Sequence, residues 1–154
     1  MRRTWLLAIV LVLVIVFLAG SYFIADYNVT DALSKIRVNS GSMNLSLINQ
    51  TRIIGVVVFT IDNPSEIDIN ILSFNITLFI SNNESQKIFL GSVESGNVTI
   101  ASKSNLFIEL KVNTTNTAAV ELFKSQKHTL SYSCKIVTSA RVLFWQITKA
   151  NEIH

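Results

Sequence analysis

Residues 53–80 read IIGVVVFTIDNPSEIDINILSFNITLFI, and this stretch decides the fold. Its first part, 53–61, is apolar at both odd and even positions, which predicts a central strand covered on both faces. The DNPS segment at 62–65 then predicts a turn, because proline fixes φ and lacks the N–H that a sheet needs, and an Asp or Asn side chain can bond the backbone that follows it. Gly55 predicts either a β-bulge or a close backbone approach within the strand.

The second part of the stretch changes its alternation part-way along. Apolar residues occupy odd positions from Ile67 to Ile71 and even positions from Leu72 to Ile80. Side chains alternate strictly along a strand, so one extra residue near Leu72-Ser73 is needed to keep both sets on the same face. The sequence therefore predicts a β-bulge or a bend at this point.

The segments on either side also alternate between apolar and polar residues. Upstream, the pattern predicts a hairpin of strands 35–39 and 43–47, with a turn at 39–42 and a further loop at 49–51. Downstream, it predicts a loop at 81–86, strands at 88–93, 98–100 and 105–112, a turn at 94–96, a helix at 116–126, and strands at 128–137 and 141–149. Short strands without a repeated βα unit predict an all-β fold with one short helix, an immunoglobulin-like antiparallel β-sandwich over residues 35–150.

The N-terminal segment has a different composition. Residues 5–25 contain no charge and would form a helix of roughly 31 Å, which matches a bilayer core of about 30 Å. Arg2 and Arg3 precede this segment, whereas the first charges after it are acidic, so the positive-inside rule predicts a cytoplasmic N-terminus at 1–4. We therefore expect a signal anchor at 5–25, a polar tether at 26–34, and an extracellular domain attached to the cell membrane by a single span.

A cleaved signal peptide is the alternative interpretation of the same segment. Ala19-Gly20-Ser21 has the small residues of a cleavage site, but the apolar run is longer than the usual core of about 7 to 15 residues. Ser21 stands where a lipoprotein would need an acylated cysteine, which excludes lipid attachment there.

Potential N-glycosylation sites are frequent in the exported part. The motif Asn-X-Ser/Thr occurs at Asn28, Asn44, Asn49, Asn75, Asn83, Asn97 and Asn113. Asn28 lies too close to the predicted bilayer for a glycan, so the candidates are the other six. A β surface rich in serine and threonine would also raise the number of these motifs.

The cysteine content sets a further bound. Cys134 is alone, so no intrachain disulfide can form and the domain must depend on its apolar core, in which an inward-facing cysteine is an ordinary small residue. An exported chain with many N-glycosylation motifs and no disulfide is typical of a prokaryotic, and in particular an archaeal, surface protein.

The strand and turn at the start of the domain resemble a known family. Residues 56–65 and 67–76, with the turn at Asn63, Pro64 and Ser65, are similar to the opening of the LEA14-like domain, also called LEA type 2 or WHy. Residues 88–91 and 98–112 are similar to later strands of that family, and the resemblance extends over about residues 35–149. It implies a β-sandwich and a role in protecting envelope or membrane proteins during desiccation or heat.

Few residues are suited to catalysis or metal binding. The two histidines, His128 and His154, lack partners for a catalytic triad or a zinc site, and the five glycines form no phosphate loop. Three acidic residues near the turn could gather around calcium, but their spacing matches no known calcium loop: Asp62, Glu66 and Asp68. The net charge of only +3 gives nucleic-acid binding little support. We therefore expect no enzymatic activity and no cofactor.

Three functions follow from these observations. The first is a non-enzymatic, membrane-anchored module that binds another envelope protein or serves as an accessory subunit of a surface complex. Phe107, on an otherwise polar strand face, and Phe144 are the candidate partner surface. The second is the stress protection that the LEA14-like resemblance implies. The third is an enzyme or ligand-binding protein with a site between the sheets, for which no convergent polar groups are present.

Overall fold

The computed structural model describes residues 2–82, 86–125 and 128–153. In chain order the elements are α1 Arg2–Ser34, β1 Arg37–Ile48, β2 Arg52–Asn63, β3 Ile69–Asn82, β4 Gln86–Ser95, β5 Val98–Ile100, β6 Ser104–Thr114, α2 Thr117–Lys124, β7 Thr129–Val142 and β8 Trp145–Ile153. The strands form two antiparallel sheets, one in the order β1-β2-β6 and one in the order β4-β3-β7-β8 with β5 beside β3. This confirms the predicted β-sandwich.

The core lies between the inner faces of the two sheets. The largest fully buried side chains come mainly from β2 and β3, the two strands of the opening stretch, and include Phe59, Ile61, Ile69, Ile76 and Leu78. The ring of Phe59 meets that of Tyr132 from the other sheet edge-to-face, with centroids 5.2 Å apart. Burial of these side chains from water is the main force that holds the two sheets together.

Strand β2 is central to its sheet, as predicted, but only one of its faces is fully covered. It pairs with β1 on one side and β6 on the other. Ile53, Val57 and Phe59 are buried, whereas Val56 and Val58 on the opposite face are only half-buried. The expected double coverage is wrong because a two-layer sandwich supplies a second layer on one face of each sheet only.

The predicted irregularity in β3 is confirmed. The pairing with β7 shifts between Ile71 and Ser73, so that Leu72 is the extra residue and Phe74 returns to the buried face. Gly96 lies against this bulge, where a β-carbon would overlap the carbonyl oxygen of Leu72.

The predicted hairpin at 35–47 is wrong. Residues 37–48 form a single strand, β1, and the NSGS segment at 39–42 is a bulge in its pairing with β2. The hairpin turn lies instead at the predicted loop 49–51, where Asn49 and Gln50 both have positive φ, as in a type I′ turn. Asparagine, like glycine, tolerates a positive φ. The serine-rich segment at 39–42 can instead remain extended as a bulge. The sequence pattern alone does not show which of the two polar segments forms the turn.

The last hairpin is displaced from its predicted position. Strand β7 continues to Val142, so the turn lies at Leu143-Phe144 and not at 138–140. Leu143, within the strand predicted at 141–149, is therefore a turn residue. Helix α2 confirms the predicted helix, and Asn116 caps it by accepting a hydrogen bond of 3.2 Å from the backbone N–H of Ala119.

Helix α1 differs most from expectation, because it does not end near residue 25. It runs for 33 residues, roughly 50 Å, so the segment 26–34 expected to be a tether forms its last turns. One stripe of the helix is buried against the sandwich, where it contacts β7 and β8: Ser21, Ala25, Val29, Ala32 and Leu33. These residues recur every three or four positions, which places them on one helical face. The preceding apolar turns are exposed.

Candidate functional site

The DNPS turn is a structural junction. The Asn63 side chain is buried, and its amide nitrogen lies 2.9 Å from the carbonyl oxygen of Ile67, 3.2 Å from that of Ile100 and 3.0 Å from that of Ala101. Its amide oxygen accepts hydrogen bonds from the backbone N–H and the hydroxyl of Ser65, at 3.2 and 2.6 Å. One side chain thus joins the end of β2, the start of β3 and the β5–β6 connection, while the adjacent Pro64 is exposed.

The acidic residues near this turn have separate partners. Asp62 accepts a hydrogen bond of 2.8 Å from the amide of Asn39, and Asp68 accepts one of 2.8 Å from the backbone N–H of Ser102. Glu66 forms an exposed ion pair of 2.6 Å with Lys103. Among the described residues, no three His, Cys, Asp or Glu side chains are grouped so that they could hold a metal ion.

Phe107 lies on the outer face of the three-stranded sheet. Its side chain is 68% exposed, and its strand neighbour Thr60 separates it from Asn39 of β1. The half-buried Val56 and Val58 continue along the same face of β2. We call this surface, formed by Val56, Val58, Thr60 and Phe107, the outer apolar face.

Phe144 lies far along the chain from that surface, at the turn between β7 and β8. We call residues 142–145 the hairpin tip. Leu143 is 66% exposed and Phe144 is 50% exposed, and the ring of Phe144 lies 5.2 Å from that of Trp145 between centroids. The two candidate aromatic residues, Phe107 and Phe144, therefore belong to different sheets.

The hairpin tip contacts helix α1. The indole N–H of Trp145 donates a hydrogen bond of 3.1 Å to the hydroxyl of Ser21, and the Tyr22 ring meets Trp145 edge-to-face at 5.1 Å. Four residues further along β8, Lys149 forms an ion pair of 3.4 Å with Asp26. The strand predicted at 141–149 did not reveal this contact, although the helical spacing of small residues from Ser21 to Ala32 could have done so.

The N-glycosylation motifs lie at several kinds of position. Asn49 and Asn97 are exposed residues with positive φ in turns, and Asn44 and Asn113 are exposed on strands β1 and β6. Asn75 is half-buried in the centre of its sheet, and its side-chain oxygen accepts a hydrogen bond of 3.0 Å from Thr77. Asn83 lies outside the described residues.

Titratable groups inside the sandwich have ordinary structural roles. Cys134 is fully buried, and burial raises the pKa of its thiol to about 11. Burial also raises the pKa of Tyr132, with a smaller contribution from Cys134, and the Tyr132 hydroxyl donates a hydrogen bond of 2.7 Å to the carbonyl oxygen of Val38. His128 is half-buried, and its ring stacks on Phe123 with centroids 5.0 Å apart. The Cys134 thiol, which burial keeps neutral, is a poor nucleophile.

No protein-family model matches the chain, and no curated protein is similar to it in sequence. Solved structures do resemble it. A protein from Archaeoglobus fulgidus has 10% identity and a TM-score of 0.32, over 75% of this chain and 96% of that one. A protein from Arabidopsis thaliana has 14% identity and a TM-score of 0.38, over 77% and 82%. A putative late embryogenesis abundant (LEA) protein has 11% identity and a TM-score of 0.35, over 89% and 82%. These distant likenesses assign no function to the chain.

Helix α1 bears on where the protein resides. Residues 7–34 form a helix that is long and apolar enough to cross a membrane, and a signal sequence near an N-terminus would have the same properties. Its exposed apolar turns and its packed C-terminal turns meet near Ser21, close to the small residues that resemble a cleavage site. Cleavage there would leave the packed stripe attached to the domain.

Proposed function

We propose that the protein is a non-enzymatic module, anchored in the cell membrane by α1 with its N-terminus in the cytoplasm, that presents its β-sandwich outside the cell to another envelope protein. The packing of the last turns of α1 against β7 and β8 carries this proposal. A helix that continues from the apolar span into the domain core holds the sandwich in a set orientation at the membrane. A flexible tether would not do so.

The outer apolar face is the surface that we assign to the partner. An exposed phenylalanine beside half-buried valines offers apolar area, and aromatic residues are enriched in the buried centres of protein interfaces. Asn44 and Asn113 lie opposite Val56 and Ile54 on the neighbouring strands. Glycans on these two asparagines would cover the Ile54 end of the sheet and leave the Phe107 end open.

Co-purification from native membranes in a mild detergent tests this proposal. We expect a stoichiometric partner with the wild-type protein and its loss with Phe107→Asp. Phe89→Asp is the matched control, because Phe89 is also an exposed strand phenylalanine, 52% exposed, but lies on the other sheet. Recovery of the monomer alone from wild-type membranes, or equal loss with both variants, would contradict the proposal.

Stress protection of envelope proteins is the second candidate function. The DNPS turn favours it, because the motif that resembles the LEA14-like family is built into the fold through Asn63 as a junction of three segments. Under this hypothesis, deletion of the gene lowers survival after drying or heating, and the Phe107→Asp protein still restores it. Unchanged survival of the deletion strain would exclude this function.

A further inference from the structure

We propose that the hairpin tip inserts into the interface of the outer leaflet, beside α1, and gives the domain a second contact with the lipid bilayer. The inference rests on the membrane anchoring proposed above. It assigns Phe144 to lipid, whereas the sequence pattern assigned it to a protein partner.

The direction of β8 relative to α1 places the tip on the membrane side of the domain. Trp145 contacts Ser21, and Lys149 contacts Asp26, so β8 and the helix run the same way over this distance. The tip precedes Trp145 on this path and therefore extends toward the N-terminal end of α1. Val142 pairs with Trp145, so Leu143 and Phe144 each lie one residue, about 3.3 Å, beyond the level of Trp145. At about 1.5 Å per helix residue, this is level with helix residues near Ala19.

The first charge after the apolar span of α1 places the edge of the bilayer on the domain side of the hairpin tip. Asp26 is the first charged residue after the apolar span, and its ion pair with Lys149 needs water or headgroups around it. A span of residues 5–25 fills a hydrocarbon core of about 30 Å, which leaves Ser21 within it or at its edge. The hairpin tip, at or before the level of Ser21, then lies among the lipids and not above them.

The Trp145 indole N–H and the Ser21 hydroxyl at this contact have hydrogen-bond partners within the protein, as a lipid environment requires of buried polar groups. The indole N–H of Trp145 donates to the Ser21 hydroxyl, which in turn donates a hydrogen bond of 2.8 Å to the backbone carbonyl oxygen of Leu18. Tyr22 and Trp145 together form an aromatic pair at the depth where such residues favour the membrane interface.

The conformation of the turn also favours an exposed apolar tip. Leu143 has a φ of 58°, in the left-handed region where a β-carbon comes too close to the following carbonyl oxygen. Glycine is typical at such a turn position, yet a leucine occupies it and leaves most of its side chain outside the sandwich core. Contact with lipid would give the Leu143 side chain the apolar surroundings that the rest of the protein does not provide.

Tryptophan fluorescence of the full-length protein in phosphatidylcholine vesicles tests this inference, with nitroxide-labelled lipids as quenchers. The chain has two tryptophans, so Trp5→Phe leaves Trp145 as the only reporter beside the native tip. A second variant carries Trp5→Phe, Trp145→Phe and Phe144→Trp, so that its single tryptophan lies in the tip itself. The matched control carries Trp5→Phe, Trp145→Phe and Phe107→Trp, so that its single tryptophan lies on the outer apolar face.

We expect the tip reporters to show blue-shifted emission and strong quenching by a nitroxide near the headgroup, whereas the Phe107→Trp control remains unquenched. Trp145→Phe alone leaves Trp5, which reports insertion of α1. Quenching of Trp5 without quenching of either tip reporter would overturn the inference and leave the anchor intact. Absence of quenching at Trp5 as well would overturn the anchor too. The Trp5→Phe variant keeps the native tip, so the test holds even if Phe144→Trp disturbs the turn.

Discussion

At the scale of single residues, Asn63 shows how a polar side chain can specify a β fold. Its amide nitrogen lies near three carbonyl oxygens from two segments, that of Ile67 before β3 and those of Ile100 and Ala101 at the end of β5, and its amide oxygen holds Ser65 in the turn. In a buried site each of these backbone groups needs a partner, because an unpaired one costs about 1–3 kcal/mol. The side chain therefore acts as a junction between β2, β3 and β5.

Asn63→Ala is expected to lower the free energy of unfolding by about 2–4 kcal/mol, because it leaves buried carbonyl groups without donors. Urea denaturation followed by circular dichroism would measure this change. Asn39→Ala is the matched control, since Asn39 is an exposed asparagine with one hydrogen bond to Asp62, and we expect a change below about 0.5 kcal/mol. Equal stability of the two variants would show that the junction is not required.

Cys134 gives a prediction about pH. Its thiol has an ordinary pKa of 9.0 and a pKa of about 11 in the folded protein, so above pH 9 the unfolded chain loses this proton while the native protein keeps it. The stability that the neutral Cys134 thiol contributes is therefore fully present below pH 9. The free energy of unfolding then falls as pH rises toward 11, by up to about 1.4 kcal/mol per pH unit.

Denaturation of the wild-type protein and of Cys134→Ala between pH 8 and 11 would isolate this contribution. The difference in unfolding free energy between the two should shrink as pH rises. A thiol reagent at pH 8 should modify the native protein slowly and the denatured protein rapidly. Rapid modification of the native protein would contradict the buried, neutral thiol.

At the scale of elements, the pairing of β1 with β2 depends on one glycine. A β-carbon at Gly55 would overlap the carbonyl oxygen of Asn44 on the neighbouring strand. The sequence predicted either a β-bulge or a close backbone approach at Gly55, and the structure shows the close approach.

Gly55→Ala should therefore force the strands apart and lower the free energy of unfolding by at least about 2 kcal/mol. Gly20→Ala provides the control, because a β-carbon there has no neighbour within 4 Å. Thermal unfolding of both variants by calorimetry would measure the effect. A Gly55→Ala protein as stable as Gly20→Ala would mean that β1 can move without loss.

At the scale of the whole molecule, helix α1 and the β-sandwich share one core. Ala25 and Val29 are fully buried and Leu33 nearly so. Burial of a side chain as large as that of Val29 or Leu33 contributes about 1.5–3 kcal/mol. The part of α1 after Ser21 is therefore part of the folded domain.

A comparison of two truncated chains follows from this shared core. A chain that begins at Ser21 should unfold cooperatively, whereas a chain that begins at Lys35 should be markedly less stable or aggregate, because the inner faces of β7 and β8 lose their cover. Calorimetry and size-exclusion chromatography would distinguish the two. If both truncated chains were equally stable, the helix would be an attachment and not part of the core.

Local patterns in the sequence determined much of this protein. Alternation fixes which side chains of β3 and β6 are buried, and a break in the alternation of β3 located the bulge at Leu72, because a strand can change parity only by adding a residue. The lack of charge in residues 5–25 identified a helix able to span a bilayer. These are properties of neighbouring residues, so a single sequence contains them.

Only the tertiary structure decided which segments meet. The packing of Ser21 against Trp145 and the junction of Asn63 with Ile100 and Ala101 both depend on residues that are far apart along the chain. The same polar segment at 26–34 is compatible with a tether in water and with a helix against a sheet. Burial of its small residues on β7 and β8 selects the helix, because an amphipathic helix of this length gains its stability mainly from packing.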